Sequence, residues 1–226
     1  MYRLWIVNKN YSSWSLRPWL TMQVLDIAFE ERLLPFGQLH EGRSLAQLSP
    51  SARLPMLEHE GLLVWDSLAI TEYLAERHPQ VWPPEARARA FARCAAAEMH
   101  SGFAALRNIC GMNCGLRVRL HGISANLQAD IDRLERLWHD GLSRHGGPWL
   151  AGERFSAVDA FFAPVAFRMQ SYGLPFNAES TDYLQRLLDL PAMQQWYAAG
   201  LAETWRDEDH DLEVNAAGVV TLDLRA

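Results

Sequence analysis

A proline-rich linker at residues 79–85 divides the chain into two parts with different hydrophobic periodicities. Residues 1–78 alternate short apolar runs, typical of strands, with amphipathic runs, typical of helices, in the order β-α-β-α-β-β-α. In residues 86–226 the strand pattern almost disappears and helical periodicity dominates. The chain is therefore predicted to fold as an α/β domain followed by an all-α domain.

Helices are predicted over most of the second domain, and an acidic tail follows them from Arg206 onward. The tail ends in a run that is predicted to be extended, residues 218–224. The predicted helices cover residues 86–120, 124–144, 157–172, 181–188 and 192–202.

Composition and charge narrow the range of functions. The 226 residues are 49% hydrophobic, which is enough to bury a sizeable core, and the net charge of −6 gives no support to nucleic-acid binding. The three cysteines are sparse and odd in number, which is typical of a reducing compartment rather than a disulfide framework. The pattern shows neither a signal peptide nor an apolar run of membrane-spanning length, so we expect a cytoplasmic protein without a membrane partner.

The junction between the first predicted strand and the first predicted helix carries Ser12, Ser13 and Ser15. Serine at such a position can cap the free N–H groups of the helix. A helix N-terminus also favours an adjacent negative charge, and a hydroxyl there can donate a hydrogen bond to a thiolate. In thioredoxin-like folds this junction usually carries a Cys-x-x-Cys pair, whereas here Ser12 and Ser15 stand at that spacing. The chain therefore lacks dithiol chemistry at this position but could bind the thiolate of another molecule.

Four motifs, taken in order and spacing, resemble the cytosolic glutathione S-transferases over essentially the whole chain. Among these, the serine-type, zeta-like bacterial members are the most similar by motif. The resemblance implies an N-terminal thioredoxin-like domain, residues 1–78, a linker, residues 79–85, and a C-terminal all-helical domain with a hydrophobic substrate pocket, residues 86–226. The motifs are Ser-Ser-x-Ser at residues 12–15, Leu54-Pro55, Asp66-Ser67-Leu68-Ala69-Ile70 and Phe155-Ser156-Ala157-Val158-Asp159.

The resemblance also implies that glutathione is the co-substrate and that a serine hydroxyl activates its thiol. Ser12 is identified as the hydroxyl that donates to the thiolate, and Ser13 is close enough to replace or support it. For both serines the alternative is a plain helix cap. Trp14 stands where zeta-like members have cysteine, so the redox-active cysteine of that class is missing.

Other glutathione contacts follow from the resemblance. In the family the proline of the Leu54-Pro55 pair is cis and turns the backbone of the preceding residue toward the cysteinyl amide of glutathione, like an added strand. Asp66 and Ser67 begin a helix, and in the family this pair binds the γ-glutamyl end. Two further residues could bind the glycyl carboxylate but also fit ordinary surface positions: Arg53 and His40.

The helix that follows the linker lines the electrophile pocket in this family. The resemblance therefore implies that Met99, Phe103 and Arg107 face a hydrophobic substrate, together with Trp14, although core packing fits each of the three helical residues equally well. Cys110, Cys114 and His100 do not form a convincing metal site, because the spacing lacks a fourth ligand. We expect no metal.

The main functional prediction is a glutathione transferase that attacks an apolar electrophile. One alternative is a glutathione-dependent isomerase of the maleylacetoacetate type, for which Arg17 and Arg107 could bind a diacid. Another is a non-catalytic protein of the same fold that binds glutathione or another ligand. A thiol–disulfide oxidoreductase is disfavoured, since residues 12–15 contain no cysteine. Family members pair as homodimers, so the partners expected are glutathione, an electrophile and a second copy of the chain.

Overall fold

The computed structural model describes residues 1–226, and its first part contains a mixed four-stranded sheet in the order β2-β1-β3-β4. β1 pairs parallel with β2 and antiparallel with β3, and β3 pairs antiparallel with β4. The order β-α-β-α-β-β-α predicted for residues 1–78 is confirmed. The elements are β1 Tyr2–Ile6, α1 Ser13–Val24, β2 Phe29–Leu33, α2 Leu45–Leu48, β3 Met56–His59, β4 Leu62–Val64 and α3 Ser67–Ala75.

A short 3-10 turn, Pro79–Val81, lies in the linker and leads into the second domain. That domain contains seven helices and a separate two-stranded sheet. None of the ten helices of the chain combines the length and the apolar character that crossing a bilayer requires. The elements are α4 Ala86–Ser101, α5 Ala104–Ile109, β5 Leu116–Leu120, α6 Ala125–His145, α7 Ala157–Tyr172, α8 Ala178–Leu188, α9 Pro191–Ala202, α10 Glu208–Ala217 and β6 Gly218–Asp223.

The single helix predicted over residues 86–120 is wrong. α4 ends at Ser101, Phe103 takes a left-handed conformation with φ 57°, and α5 starts anew after it. Residues 116–120 form β5, which pairs antiparallel with β6, so the second domain is not all-helical. The extended run predicted at the end of the tail is confirmed, since β6 occupies it.

One core of 51 buried residues extends through both domains, and α7 lies at its centre. α7 is buried along nearly its whole length because its residues are apolar on almost every side. It packs against α1 of the first domain and against α4 and α8 of the second. The two domains therefore share one hydrophobic core.

The turn between β1 and α1 is bound directly by the second domain. The buried carboxylate of Glu203 accepts hydrogen bonds from the N–H groups of Lys9, at 2.6 Å, and Asn10, at 3.2 Å. The indole N–H of Trp196 donates to the Lys9 carbonyl at 2.8 Å, and the Cys114 N–H donates to the Asn10 carbonyl at 3.1 Å. This turn, residues 8–12, is called the β1–α1 turn below.

Asp159 organises the start of α7. Its fully buried carboxylate accepts hydrogen bonds from the backbone N–H groups of Ser156, at 2.9 Å, and Leu150, at 3.1 Å, and from the Tyr183 hydroxyl at 3.1 Å. Burial raises the pKa of Asp159 from 3.8 to about 6, against the opposing effect of these donors. These contacts give the Ser-x-x-Asp motif a structural role as the capping box of α7.

We predict that Asp159→Asn lowers the free energy of unfolding at neutral pH by ~1–3 kcal/mol, because the amide nitrogen cannot accept the hydrogen bond that one carboxylate oxygen accepts. The pKa of Asp159 is higher in the folded chain than in the unfolded chain, so the folded state keeps this proton longer as pH rises. The contribution of Asp159 to stability is therefore full below pH 3.8 and decreases as the pH rises to about 6. Urea unfolding of wild type should contain this component, and Asp159→Asn should lack it.

The exposed Asp182 of α8 provides the matched control, and Asp182→Asn should leave the pH dependence unchanged. An Asp159→Asn protein with the same pH dependence as wild type would contradict the assignment.

Candidate functional site

One terminus of each of the four strands lies at the same end of the sheet. β1 and β2 run parallel and end there, at Ile6 and Leu33. β3 runs the opposite way and begins there, with Met56 opposite Trp5, and β4 ends there at Val64. Strand direction alone therefore brings the segments that adjoin these four termini to the same end of the sheet. They contain the predicted contacts Ser12, Ser13, His40, Arg53, Leu54, Pro55, Asp66 and Ser67.

Ser12 is the N-cap of α1. Its hydroxyl oxygen accepts a hydrogen bond from the Ser15 N–H at 3.1 Å, and its hydroxyl donates to Ser15 Oγ at 2.8 Å. Ser12 is 6% exposed, whereas Ser13, the first residue of the helix, is only half-buried and takes no part in these two bonds. Both serines lie at the N-terminus of α1, where the free N–H groups favour a negative charge.

Leu54 precedes β3 and packs in a small buried cluster that includes Trp5 and Val7, at the end of β1. The Leu54–Pro55 peptide bond is cis, as the resemblance implies. The ladder between β1 and β3 starts at Met56, so the N–H and C=O of Leu54 take no part in it. These backbone groups are the kind that an extended ligand can pair with as an added strand.

Asp66 caps α3 and also contacts the second domain. One of its carboxylate oxygens accepts hydrogen bonds from the N–H groups of Leu68, at 2.9 Å, and Ala69, at 3.2 Å. The other lies 3.0 Å from Nε2 of His100, on α4. Ser67 is fully buried, and its hydroxyl has no hydrogen-bond partner in the chain. An unsatisfied hydroxyl at a helix N-terminus is suited to a carboxylate.

Two arginines contact the Trp14 indole where α1 of the first domain meets the second domain. The Arg17 guanidinium lies 4.4 Å from the Trp14 ring centre and 4.9 Å from that of Phe161. The Arg107 guanidinium lies 5.0 Å from the Trp14 ring centre. His100 meets the same indole edge-on, with ring centres 5.0 Å apart. Trp14 itself is 36% exposed.

Arg17 is an unpaired cation in the protein interior. It is 1% exposed, and its Nε and Nη1 atoms have no hydrogen-bond partner, as is also true of Nε of Arg107. Burial lowers the pKa of Arg17 well below its usual value, and the neighbouring charges of Arg107 and Arg168 lower it further. Burial also lowers the pKa of His100, against the opposing effect of Asp66. Three basic side chains, those of Arg17, Arg107 and His100, therefore surround Trp14, the residue that follows Ser13.

Two of the four predicted pocket residues lie elsewhere. Met99 is fully buried and Phe103 is 6% exposed, and both belong to the main core, so neither offers a surface to a substrate. Trp14 and Arg107 do come together where the two domains meet, and Arg17 and His100 contact Trp14 there as well. Sequence reasoning weighed Arg17 only for a diacid substrate and His100 only as a metal ligand, and no sequence signal linked His100 to Asp66.

His40 and Arg53 remain peripheral. His40 packs edge-on against Trp5, with ring centres 4.7 Å apart, and Arg53 is exposed. No group of three or more histidine, cysteine or acidic side chains is arranged to hold a metal ion. A cavity of about 1080 Å³ lies at the C-terminal end of α1, against Leu25, Trp82 and Phe155. It is separate from the end of the sheet that carries the predicted site residues.

Two of the three cysteines are poor nucleophiles in this fold. Cys94 is exposed, while Cys110 and Cys114 are fully buried. Burial raises the pKa of Cys110 to about 12 and that of Cys114 further still, so both remain protonated at neutral pH. Cys114 is far from the serines in sequence, yet the fold brings its sulfur within 3.6 Å of the Lys9 carbonyl, in the β1–α1 turn.

Two domain families together account for most of the chain. Residues 11–77 match the domain described as "Glutathione S-transferase, N-terminal domain", and residues 84–199 match "Glutathione S-transferase, C-terminal domain". The chain belongs to the glutathione S-transferase family. The predicted fold class, a thioredoxin-like domain followed by a helical domain, is thereby confirmed, with the β5–β6 sheet as an addition to the helical domain.

Curated proteins similar to this glutathione S-transferase family member include two isomerases. A probable maleylacetoacetate isomerase of Caenorhabditis elegans is 25% identical over 85% of this chain and 89% of its own length. A maleylacetoacetate isomerase of Dictyostelium discoideum is 27% identical over 84% and 89%.

Solved structures share the fold at lower identity. A glutathione transferase homolog from Burkholderia, solved with bound glutathione, is 21% identical, with a TM-score of 0.64 over 88% of this chain and 97% of that one. A diazinon-metabolizing glutathione S-transferase of the silkworm Bombyx mori is 16% identical, with a TM-score of 0.68 over 88% and 97%.

Proposed function

We propose that the protein is a glutathione transferase that binds glutathione at the end of the sheet where the four strand termini lie. The proposal depends on one observation: that end of the sheet brings together the β1–α1 turn, the Leu54 backbone and the N-terminus of α3. Leu54 would pair with the cysteinyl amide, and Asp66 and Ser67 would bind the γ-glutamyl end. Family membership supports glutathione as the ligand.

The task of the site is to ionise the thiol, because only the thiolate is nucleophilic. A thiol with a pKa of ~8.5 is roughly 3% ionised at pH 7. Lowering its pKa by ~2 units makes about three-quarters of it thiolate, which requires ~2.7 kcal/mol of differential stabilisation. A hydroxyl donor and the N-terminus of α1 together can supply an effect of this size.

The geometry favours Ser13 over Ser12 as the donor. The Ser12 hydroxyl already donates to Ser15 and accepts from the Ser15 N–H, so it would have to break the cap to serve a ligand. The Ser13 hydroxyl is more exposed and needs no such change. This reverses the roles that the resemblance implies for the two serines.

Ser13→Ala should raise the pKa of enzyme-bound glutathione toward its free value and lower kcat at neutral pH, with part of the loss recovered at higher pH. The reason is that the lost hydrogen bond favours the ionised thiol. Ser12→Ala is the matched comparison and should cost ~0.5–2 kcal/mol of stability as a lost cap, with little change in the thiol titration. The readout is thiolate absorbance of bound glutathione against pH.

If Ser12→Ala shifts the titration and Ser13→Ala does not, Ser12 is the donor. If neither variant shifts it, serine activation is wrong. Ser67→Ala serves as a further contrast, because the γ-glutamyl carboxylate is charged before and after the reaction. It should raise KM for glutathione and leave kcat nearly unchanged.

The buried Arg17 favours a second candidate function, a glutathione-dependent isomerase acting on an anionic substrate. Burying a charge whose donors lack acceptors costs several kcal/mol. A substrate carboxylate bound beside Trp14 would supply acceptors for Nε and Nη1 of Arg17 and for Nε of Arg107. The two relatives from Caenorhabditis elegans and Dictyostelium discoideum are isomerases of maleylacetoacetate by name. The apolar electrophile of the main prediction offers no partner to these guanidinium groups.

Arg17→Met separates the two candidates. Replacing an unpaired buried cation with an apolar chain of similar length should raise the free energy of unfolding, on the order of 1–4 kcal/mol. Isomerisation of maleylacetoacetate should fall by about 10- to 100-fold, the scale of a lost charged hydrogen bond, while conjugation of a neutral aryl halide should be retained. The exposed Arg87 of α4 gives the control, Arg87→Met. Equal losses on both substrates would remove the support for an anionic substrate.

A homodimer is proposed as the working assembly. β4 is one of the two edge strands of the sheet, and three large apolar residues in β4 or directly after it are exposed: Leu62, at 54%, Leu63, at 41%, and Trp65, at 44%. Exposed apolar edges are usually covered by a partner, and a two-fold pair is the commonest arrangement.

Sedimentation at micromolar concentration should therefore give about twice the chain mass of 25.7 kDa. Leu62→Arg should shift the protein toward the single-chain mass, because a charge would be buried at the interface. Leu212, on α10, is similarly exposed at 58%, and Leu212→Arg should leave the mass unchanged. A wild-type protein found only near 25.7 kDa would rule out the dimer.

A further inference from the structure

The C-terminal segment, residues 203–226, lies beyond the two family domains, the second of which ends at residue 199. It nevertheless contacts three successive residues that immediately precede Ser12. Glu203 binds the N–H groups of Lys9 and Asn10, as described above. The third residue, Tyr11, is bound through its side chain by the rest of the segment.

The Tyr11 hydroxyl uses all of its hydrogen-bonding capacity on this segment. It donates to Oδ1 of Asp211 at 3.2 Å, and it accepts from Nη1 of Arg225 at 3.2 Å and from the Asp207 N–H at 3.4 Å. Tyr11 is 2% exposed. Burial raises the pKa of Tyr11, so the phenol keeps its proton and remains a donor to the carboxylate.

Arg225 links the end of the chain to this group. Its guanidinium lies 2.7 Å from the carboxylate of Asp211 and 2.9 Å from that of Asp223, and its side chain is 10% exposed. Burial lowers the pKa of Arg225, but its bonds to Asp223 and Asp211 outweigh burial and raise it. A planar guanidinium held by two carboxylates is geometrically restricted, so it fixes the position of Asp211 and of the Tyr11 hydroxyl.

The segment is itself anchored by β6, which pairs with β5. Within it, Asp207 caps α10 by accepting from the His210 N–H at 3.1 Å. The His210 ring packs against both Tyr11 and Phe36, with its ring centre 5.2 Å from each. The segment therefore extends from the β1–α1 turn to the loop that follows β2.

We propose that the C-terminal segment positions the N-terminus of α1, with its cap Ser12 and the thiol donor Ser13, and that Tyr11 is its point of attachment. This inference rests on the glutathione chemistry proposed for that helix terminus. Tyr11 is bonded directly to Ser12 in the chain, so a shift of Tyr11 moves the cap residue and the start of α1. Small displacements matter because a misplacement of about 1 Å can cost ~100-fold in rate.

Tyr11→Phe is the mildest test, since it removes one hydroxyl and leaves Asp211 and Arg225 paired with each other. We expect kcat to fall by roughly 5- to 30-fold, the factor that corresponds to ~1–2 kcal/mol, with a smaller change in KM for glutathione. Asp211→Asn should have a similar effect. Asp209→Asn is the matched control, because Asp209 is exposed and stands two positions earlier on the same helix.

A double variant tests whether the two residues act through one contact. Tyr11→Phe combined with Asp211→Asn should lose less activity than the two single losses together, because the bond between Tyr11 and Asp211 is broken in both single variants. Fully additive losses would overturn the attachment. Arg225→Lys, which keeps the charge, should retain more activity than Arg225→Gln.

Hydrogen exchange at the amides of residues 9–13 gives a readout that does not depend on turnover. Exchange there should be faster in Tyr11→Phe and Asp211→Asn than in wild type, and unchanged in Asp209→Asn. If wild type does not turn glutathione over, the proposed function fails, and the exchange data still decide the attachment. If turnover is present, the proposal is overturned when kcat and exchange in Tyr11→Phe and Asp211→Asn match those of Asp209→Asn.

Discussion

The carboxylate of Glu203, bound to the N–H groups of Lys9 and Asn10, is the contact on which the site depends. A turn from a strand into a helix leaves backbone N–H groups without partners, and burying them unpaired would be costly. Here the partner comes from the other domain, at the end of α9. The same bonds therefore satisfy the turn, join the two domains and fix where α1 begins, and the position of Ser12 and Ser13 follows from that.

The first domain was predictable because its local signals agree with its tertiary structure. Short apolar runs, the linker and the serine-rich junction each mark a boundary that the structure retains. The second domain was harder. Residues 116–120, Leu-Arg-Val-Arg-Leu, alternate with the period of a strand, but the helix predicted over residues 86–120 includes them. Their partner strand, β6, lies about a hundred residues further along the chain, and no local sequence pattern predicts which distant segment a strand will pair with.

The candidate site divides in the same way. Ser12, Leu54 and Asp66 could be predicted together, because they adjoin strand termini that the topology places at the same end of the sheet. Met99 and Phe103 could not be assigned correctly, since periodicity identifies the apolar face of a helix but not whether a core or a cleft covers it. The contact of His100 with Asp66 and the unpaired state of Arg17 depend on how two domains pack, which the sequence does not state.

The attachment of the C-terminal segment to the β1–α1 turn has a consequence for the order of events during synthesis. The bond between Lys9 and Glu203 joins residues 194 positions apart, and that between Tyr11 and Arg225 joins residues 214 positions apart. Contacts so distant in sequence carry a large loop-closure cost and form late. On the ribosome the first domain emerges first, yet its turn is complete only after residues 203 and 225 have been synthesised. A nascent chain would therefore fix the start of α1 long after the rest of its first domain has been made.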